Sequence, residues 1–323
     1  MVSLSNFTLN QEEIRELKPG EALVKTIMLS FEPAMRGWMD DQPSYLPPAE
    51  LNRPMRAPGV GRVIASENPS LPVGTLVQGM LNWQEYLIDT PDNPFPLSAL
   101  PEGTPPNVAL SVLGGTSLTG YFGLLRIGEP KAGDTVVVSG AAGATGSVVA
   151  QIAKMKNCRV IGIAGGKTKC GWLRDDLKLD AVIDYKAEPV DTALARLCPE
   201  GIDLFFDNVG GETLQAALQN AADYARFVLC GSISNYNDAT PTPGPNNMFN
   251  IISRRIKMQG FIMFDFLHDI DTAMADLVQW LSEGKLQWKE DIQHGFDNIP
   301  NTFLRLFDGS NDGKQLLALA EEN

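Results

Sequence analysis

Residues 135–146 read TVVVSGAAGATG. Its opening run, TVVVS, is almost continuously apolar, as expected of a strand buried on both faces of a parallel sheet. The glycines at 140, 143 and 146 follow, and residues 147–156 then take helical spacing. In a dinucleotide fold, such a strand–turn–helix corner lets backbone approach a pyrophosphate and lets the helix pack tightly on the strand. Gly143 and Gly146 stand at the positions with those two demands. The N–H groups around Ala144, Thr145, Gly146 and Ser147 would point at phosphate oxygens from the positive end of the helix. A glycine triplet alone also occurs in turns that bind nothing, so its surroundings matter.

Downstream, strands are predicted at 159–164 (RVIGIA), 181–184 (AVID), 202–207 (IDLFFD), 226–229 (RFVL) and 257–262. Helices are predicted at 169–177, from 212 to about 222, and at 271–284. Strands alternating with helices call for a parallel sheet with right-handed crossovers. Upstream, the rhythm differs. Strand-like runs at 22–29, 61–66, 76–79 and 83–88 lie between Pro19-Gly20, Leu71-Pro72-Val73-Gly74 and similar turns, which reads as a mostly β module. Residues 108–123 could form one helix, and the chain beyond 285 has short β-like and helical pieces. The expected class is α/β: a mostly β domain over 1–107 and a doubly wound parallel-sheet domain over 108–284.

In an NAD site, a carboxylate at the end of the second strand holds the ribose hydroxyls. Here that strand runs into Gly165-Gly166-Lys167-Thr168-Lys169, which supplies lysines and no carboxylate. Cations there attract a 2′-phosphate, so NADPH is expected over NADH. Tyr185, after the third strand, could add a hydroxyl. The bland alternative is that Lys167 and Lys169 merely decorate a helix start, where cations are slightly unfavourable.

The chain has 323 residues, 44% of them hydrophobic, which suits a folded protein of two domains. A net charge of -13 repels phosphate backbones and argues against a nucleic-acid partner. Cys158, Cys170, Cys198 and Cys230 are scattered without a CxxC pair, as in a reducing cytosol. The first residues lack the apolar core of a signal peptide, and no apolar run reaches the roughly 18 residues of a membrane span. A cytoplasmic protein without a membrane partner is expected. The two histidines, His268 and His294, have no zinc-ligand spacing with cysteines, so no metal is expected. Neither GxSxG nor a Walker loop occurs, which leaves hydrolase and kinase readings without support.

Ordered motifs extend over nearly the whole chain: ELKPGEALVKTIMLSFEPAMRGWM (16–39), SYLPP (44–48), GVGRVIAS (59–66), SLTGYFGLLRIGEPKAGDTVVVSGAAGATGSVVAQIAK (117–154), FDNVGGE (206–212), LCGSISNYN (229–237), NIISRRIKMQGFI (250–262) and NDGK (311–314). Together they resemble the zinc-independent medium-chain dehydrogenase/reductase superfamily, in its leukotriene/prostaglandin reductase and alkenal double-bond reductase branch. The resemblance implies a GroES-like β domain completed by 285–323, a Rossmann domain inserted in it, NADP in the cleft between, and commonly a homodimer made by extending the Rossmann sheet. It places Gly143, Ala144, Thr145, Gly146 and Ser147 on the pyrophosphate, and Lys169 and Tyr185 on the 2′-phosphate beside Gly166. Asn208 falls on a cofactor contact. The loop from Cys230 through Gly231, Ser232 and Ile233 to Tyr236 falls on the ribose and nicotinamide side. Phe261 and Met263 approach the nicotinamide, and Asn311 is a C-terminal contact. Two departures stand out: Ala34 and Ser253 occupy positions where many members carry tyrosine. The N-terminus is also shorter than is usual in the family, so a first strand is expected to be missing.

The resemblance implies reduction of an α,β-unsaturated carbonyl compound. Hydride reaches the β-carbon, the enolate oxygen needs stabilisation, and the α-carbon needs a proton. Tyr45 and Tyr236 are the remaining candidates for these tasks, although Tyr45 could simply pack beside Pro47-Pro48 and Tyr236 could touch cofactor alone. Substrate is expected among residues 28–38, Tyr45, Tyr236, Met263 and Phe264, a set that could equally be interface core. Two alternatives stay open: an NADPH-dependent quinone reductase of the same superfamily, and a non-catalytic NADPH-binding sensor.

Overall fold

Strand β1 (Ala22–Ser30) is buried at nearly every position, because it has neighbours on both edges. The short helix α1 (Met35–Trp38) follows, then β2 (Pro58–Ser66), β3 (Leu76–Met80), β4 (Tyr86–Asp89), β5 (Ser98–Ala99) and α2 (Pro106–Leu110). β1 pairs antiparallel with β2 along one edge, and β4 covers its first half, Ala22–Lys25, on the other. The structure is a computed structural model that describes residues 1–238, 240 and 242–319.

The chain then runs through α3 (Gly115–Phe122), β6 (Thr135–Val138), α4 (Ala144–Met155), β7 (Arg159–Ala164), α5 (Lys167–Asp175), β8 (Ala181–Asp184) and α6 (Val190–Leu197). It continues with β9 (Ile202–Asp207), α7 (Gly211–Gln219), β10 (Ala221–Leu229), α8 (Phe249–Ser253), β11 (Lys257–Gly260) and α9 (Ile270–Ser282). The six strands pair in parallel in the order β11-β10-β9-β6-β7-β8. This is the doubly wound order, whose loops at the carboxyl ends of β6 and β9 flank the switch point. Val136, Val137 and Val138 are fully buried, as the unbroken apolar run requires.

The last elements, β12 (Glu290–His294), α10 (Ile299–Asp308) and β13 (Lys314–Ala318), return to the first sheet. β13 pairs antiparallel with the second half of β1, and β12 lies parallel to β13. Phe303 of α10 is fully buried and packs its ring 5.4 Å from Trp83 and 6.4 Å from Phe7. By internal contacts the chain forms two units, Val2–Gly114 with Glu290 onward, and Gly115–Lys289. α2 falls with the first unit because Ala109 and Leu110 pack on Val60, Leu100 and Leu316, and Glu290 accepts bonds from Asn107 (2.8 Å) and Ser111 (2.6 Å).

One local reading is corrected, and two elements are added to it. Residues 108–123 are two helices, broken where Ser111 leaves helical geometry and Gly114 lies so close that a Cβ would meet the Leu110 carbonyl at 2.6 Å. A π-helical turn then covers Gly123–Gly128. α6 is an additional helix, amphipathic with Ala193 and Leu194 buried. Among the described residues no helix is long and apolar enough to cross a membrane.

Candidate active site

The corner after β6 is built from glycine geometry. Gly140 takes a positive φ of 59°, and its carbonyl accepts the Gly143 N–H at 3.0 Å. Gly143 is the N-cap of α4, so no side chain caps the helix there. The N–H groups of Ala144, Thr145 and Gly146 occupy the first turn, where a helix offers no acceptor of its own. They form a positive, donor-rich end suited to an anion. Ser147 already belongs to the helix ladder, its N–H bonded to the Gly143 carbonyl at 3.0 Å. A Cβ on Gly146 would stand 2.3 Å from the Gly140 carbonyl oxygen, so the helix approaches the turn more closely than any side chain allows.

The second corner lies after β7. Gly166, with φ 91°, is the N-cap of α5, and Lys167 and Lys169 lie in that helix's first turn. Tyr185 is half-exposed and lies against Gly165, where a Cβ would come within 2.7 Å of its ring and hydroxyl. The structure therefore brings Gly166, Lys169 and Tyr185 together. It also adds a carboxylate that the end of the second strand lacks: Asp184, closing β8, accepts the Gly166 N–H at 2.8 Å and the Lys186 N–H at 3.0 Å. Backbone amides occupy this carboxylate, which makes it an anchor of the turn.

The third group surrounds Asp207, the last residue of β9 and 1% exposed. Its Oδ1 accepts from Ser139 Oγ at 2.8 Å and from the N–H groups of Val209 and Gly210 at 3.0 Å each. Burial raises its pKa against the pull of these donors. Asn208 donates its side-chain amide to the Ser139 carbonyl at 2.7 Å. The loop after β10 folds onto this group: Cys230 and Gly231 donate to the Asp207 carbonyl (2.9 and 3.0 Å), and Ile233 donates to the Asn208 carbonyl (3.2 Å). Tyr236 closes the loop by accepting the Ser232 N–H at 3.0 Å. Burial, and then the Asp207 charge, push the Cys230 thiol up to about 12, which keeps it protonated and unreactive.

Asp207, Gly210, the loop residues Cys230, Gly231, Ser232 and Tyr236, and Phe261 line a cavity of about 580 Å³. Phe261 packs its ring where a Cβ on Gly123 would stand 2.4 Å away, so that glycine makes room for it. Met263 follows, half-buried, in the 3-10 turn before α9. Asp207 and Ser139 escaped the sequence reading, although a signal existed. A carboxylate that closes an apolar strand must find donors, and the tight turn of FDNVGG supplies the Val209 and Gly210 amides.

In the first unit, Tyr45 is 44% exposed and its hydroxyl accepts the Trp38 indole N–H at 2.8 Å. Ala34 precedes α1 directly and has no group to donate. Asn311 donates to the Gly313 carbonyl at 3.1 Å, just before β13. Ser253, in the second unit, is exposed, and its hydroxyl donates to the Asn250 carbonyl at 3.5 Å.

Residues 1–97 match the family described as the N-terminal domain of oxidoreductase, and residues 144–282 match the family described as zinc-binding dehydrogenase. Among the described residues no group of three or more His, Cys, Asp or Glu side chains is placed to hold a metal ion. The NADPH-dependent curcumin reductase of Escherichia coli (strain K12) is 38% identical over 323 residues, 98% of this chain and 93% of its own. The NADP(+)-dependent 2-alkenal reductase of Nicotiana tabacum is 37% identical over 304 residues, 94% of this chain and 88% of its own. The crystal structure of CurA from Vibrio vulnificus in complex with NADPH superposes with a TM-score of 0.93 at 40% identity, covering 99% of this chain and 96% of that one. The chain belongs to the medium-chain dehydrogenase/reductase superfamily, in its prostaglandin and alkenal reductase branch.

Proposed function

We propose that this protein uses NADPH to reduce the carbon–carbon double bond of small α,β-unsaturated aldehydes and ketones. The observation that carries the reading is the first turn of α4, uncapped by any side chain and pressed so close to Gly140 that residue 146 must be glycine. Such an end offers its backbone amides to an anionic ligand. The curcumin and 2-alkenal reductases among the relatives, and the NADPH complex of CurA, support the choice of cofactor and substrate class.

Bound NADPH supplies a hydride for the substrate β-carbon. The amides of Ala144, Thr145 and Gly146, with Gly143 and Ser147 shaping the turn, would hold the pyrophosphate. Lys169 and Tyr185, beside Gly166, would hold the 2′-phosphate. Asn208, the loop of Cys230, Gly231, Ser232, Ile233 and Tyr236, and Phe261 and Met263 would receive the ribose and nicotinamide half, with Asn311 as a further contact. The residues fit this group, because the close approach at Gly146 and the open α4 terminus leave backbone donors for phosphate. Tyr45 and Tyr236 remain the candidates to stabilise the enolate oxygen or deliver the α-proton. The Tyr45 oxygen accepts the Trp38 indole N–H and the Tyr236 oxygen accepts the Ser232 N–H, which fixes the position of each phenol.

The same proposal extends to assembly and place. β11 is an edge strand of the parallel sheet, and Met248, Phe249 and Ile252 before it are 48%, 71% and 71% exposed, which favours a homodimer. Four free cysteines suit a reducing cytoplasm. The test is NADPH oxidation followed by absorbance across alkenals, enones and a naphthoquinone. Turnover with enals and enones well above that with the quinone is expected. Turnover with the quinone alone, or NADPH binding with no turnover, would replace the proposal with a quinone reductase or a sensor.

A further inference from the structure

We infer that Asp207 is a positioning residue for the nicotinamide half of the cofactor, its carboxylate and carbonyl holding three loops of the parallel sheet in register. The inference deepens the NADPH reading above and rests on it. Asp207 touches the loop after β6 through Ser139, the loop after β9 through Val209 and Gly210, and the loop after β10 through Cys230 and Gly231. Ser139 relays the contact, since its Oγ also accepts the Asn208 N–H at 2.8 Å. Further bonds tighten the same junction: Ser234 donates its N–H (3.1 Å) and its hydroxyl (2.6 Å) to the Val209 carbonyl.

No apolar residue substitutes for Asp207. Three donors converge on one buried oxygen, and removing it takes the acceptor from the Val209 and Gly210 N–H groups and leaves the Ser139 hydroxyl only the Phe206 carbonyl at 3.5 Å. The packing is equally strict, because a Cβ on Gly210 would stand 2.3 Å from Ser232 Oγ. Displacement of the 208–211 loop is therefore passed directly to residues 230–232, which line the cavity with Gly210. Its donors commit Asp207 to structure, so it acts through the loops and not on a reacting atom.

The adenosine corner has a separate anchor. Asp184 holds Gly166 and Lys186 from the end of β8. Two carboxylates thus fix two halves of one cradle, and the halves are separable by mutation. Calorimetric titration of the full chain with NADPH and with adenosine 2′,5′-bisphosphate reads this directly. Asp207→Ala is expected to weaken NADPH at least tenfold and the bisphosphate less than twofold. Asp207→Asn keeps the Oδ1 acceptor and is expected to stay within threefold of wild type for both ligands. Ser139→Ala, the milder variant that serves if Asp207→Ala does not fold, is expected to weaken NADPH several-fold with the same selectivity. Asp184→Ala is expected to weaken both ligands to a similar extent, because NADPH carries the same 2′-phosphoadenosine. Equal losses for both ligands in Asp207→Ala or Ser139→Ala would show a merely structural role and overturn the inference, as would unchanged NADPH affinity. Wild-type protein that binds neither ligand would instead overturn the NADPH reading itself, a result distinct from failure of the variants.

Discussion

Replacing Gly146 by alanine adds one methyl group at the point where α4 meets the turn. The new Cβ would stand 2.3 Å from the Gly140 oxygen and 2.9 Å from both Gly140 C and Ala141 Cα. All three are backbone atoms, so no rotamer relieves the contact and the helix start must move. Overpacking of this kind costs about 1–3 kcal/mol, while alanine in a helix regains about 0.5–1 kcal/mol over glycine. The net loss is about 0–2.5 kcal/mol, and at about 2–4 °C per kcal/mol for a unit of this size Tm falls by up to about 10 °C. Cofactor affinity should fall further. A charge-assisted bond from one displaced amide is worth about 1.5–3 kcal/mol, or about 10–150-fold in Kd. Differential scanning fluorimetry of the apo protein and calorimetric titration with NADPH separate the two effects. Gly171→Ala in α5 is the control, since its Cβ would meet nothing closer than 3.7 Å. It should be neutral or slightly stabilising. Gly146→Ala with Tm unchanged and Kd within twofold of wild type would refute the close-approach argument.

Tyr45→Phe removes the acceptor of the Trp38 indole N–H and should cost about 0.5–1.5 kcal/mol in urea unfolding; kcat on an enone should fall by about 100-fold if Tyr45 delivers the proton, and an unchanged kcat would remove it from the mechanism. Lys169→Ala should weaken NADPH by about tenfold and leave NADH nearly unaffected in fluorescence titrations, because only the 2′-phosphate meets that cation; equal losses would contradict the assignment. Glu21 is held at about 2, below its ordinary 4.5, chiefly by both hydrogen bonds from Arg15 and then by the Lys18 N–H. A depressed carboxylate stabilises the fold above its unfolded value and loses that contribution as pH falls through the folded one. Wild type should therefore exceed Glu21→Gln in urea midpoint at pH 7, and the gap should close between 4.5 and about 2; a gap independent of pH would contradict the ion pair.

The parallel sheet was readable because its strands are buried on both faces and therefore apolar without alternation. RVIGIA, AVID and IDLFFD fall on β7, β8 and β9 with their bounds intact. Where neighbours decide, sequence said less. Trp83 sits in a strand-like run, yet it turns into the aromatic cluster with Phe7, Phe31 and Phe303, and the strand starts only at Tyr86. The break at residues 111–114 depends on how α2 packs onto Val60 and Leu316, which are distant in sequence. In the candidate site, the glycine turn announces itself because backbone strain selects a residue type. Asp184 does not, because its partners are main-chain amides, which no residue letter records. The tyrosine question stays open in sequence for the same reason: a hydroxyl's partner is set by the fold.

The central claim is a hydride passed to a carbon–carbon double bond. Its most direct test is to supply NADPH deuterated at the transferable position with a simple enone and to analyse the product by NMR and mass spectrometry. A saturated ketone with one deuterium on the former β-carbon is expected. Deuterium on the carbinol carbon of an allylic alcohol, or unlabelled product, would contradict it.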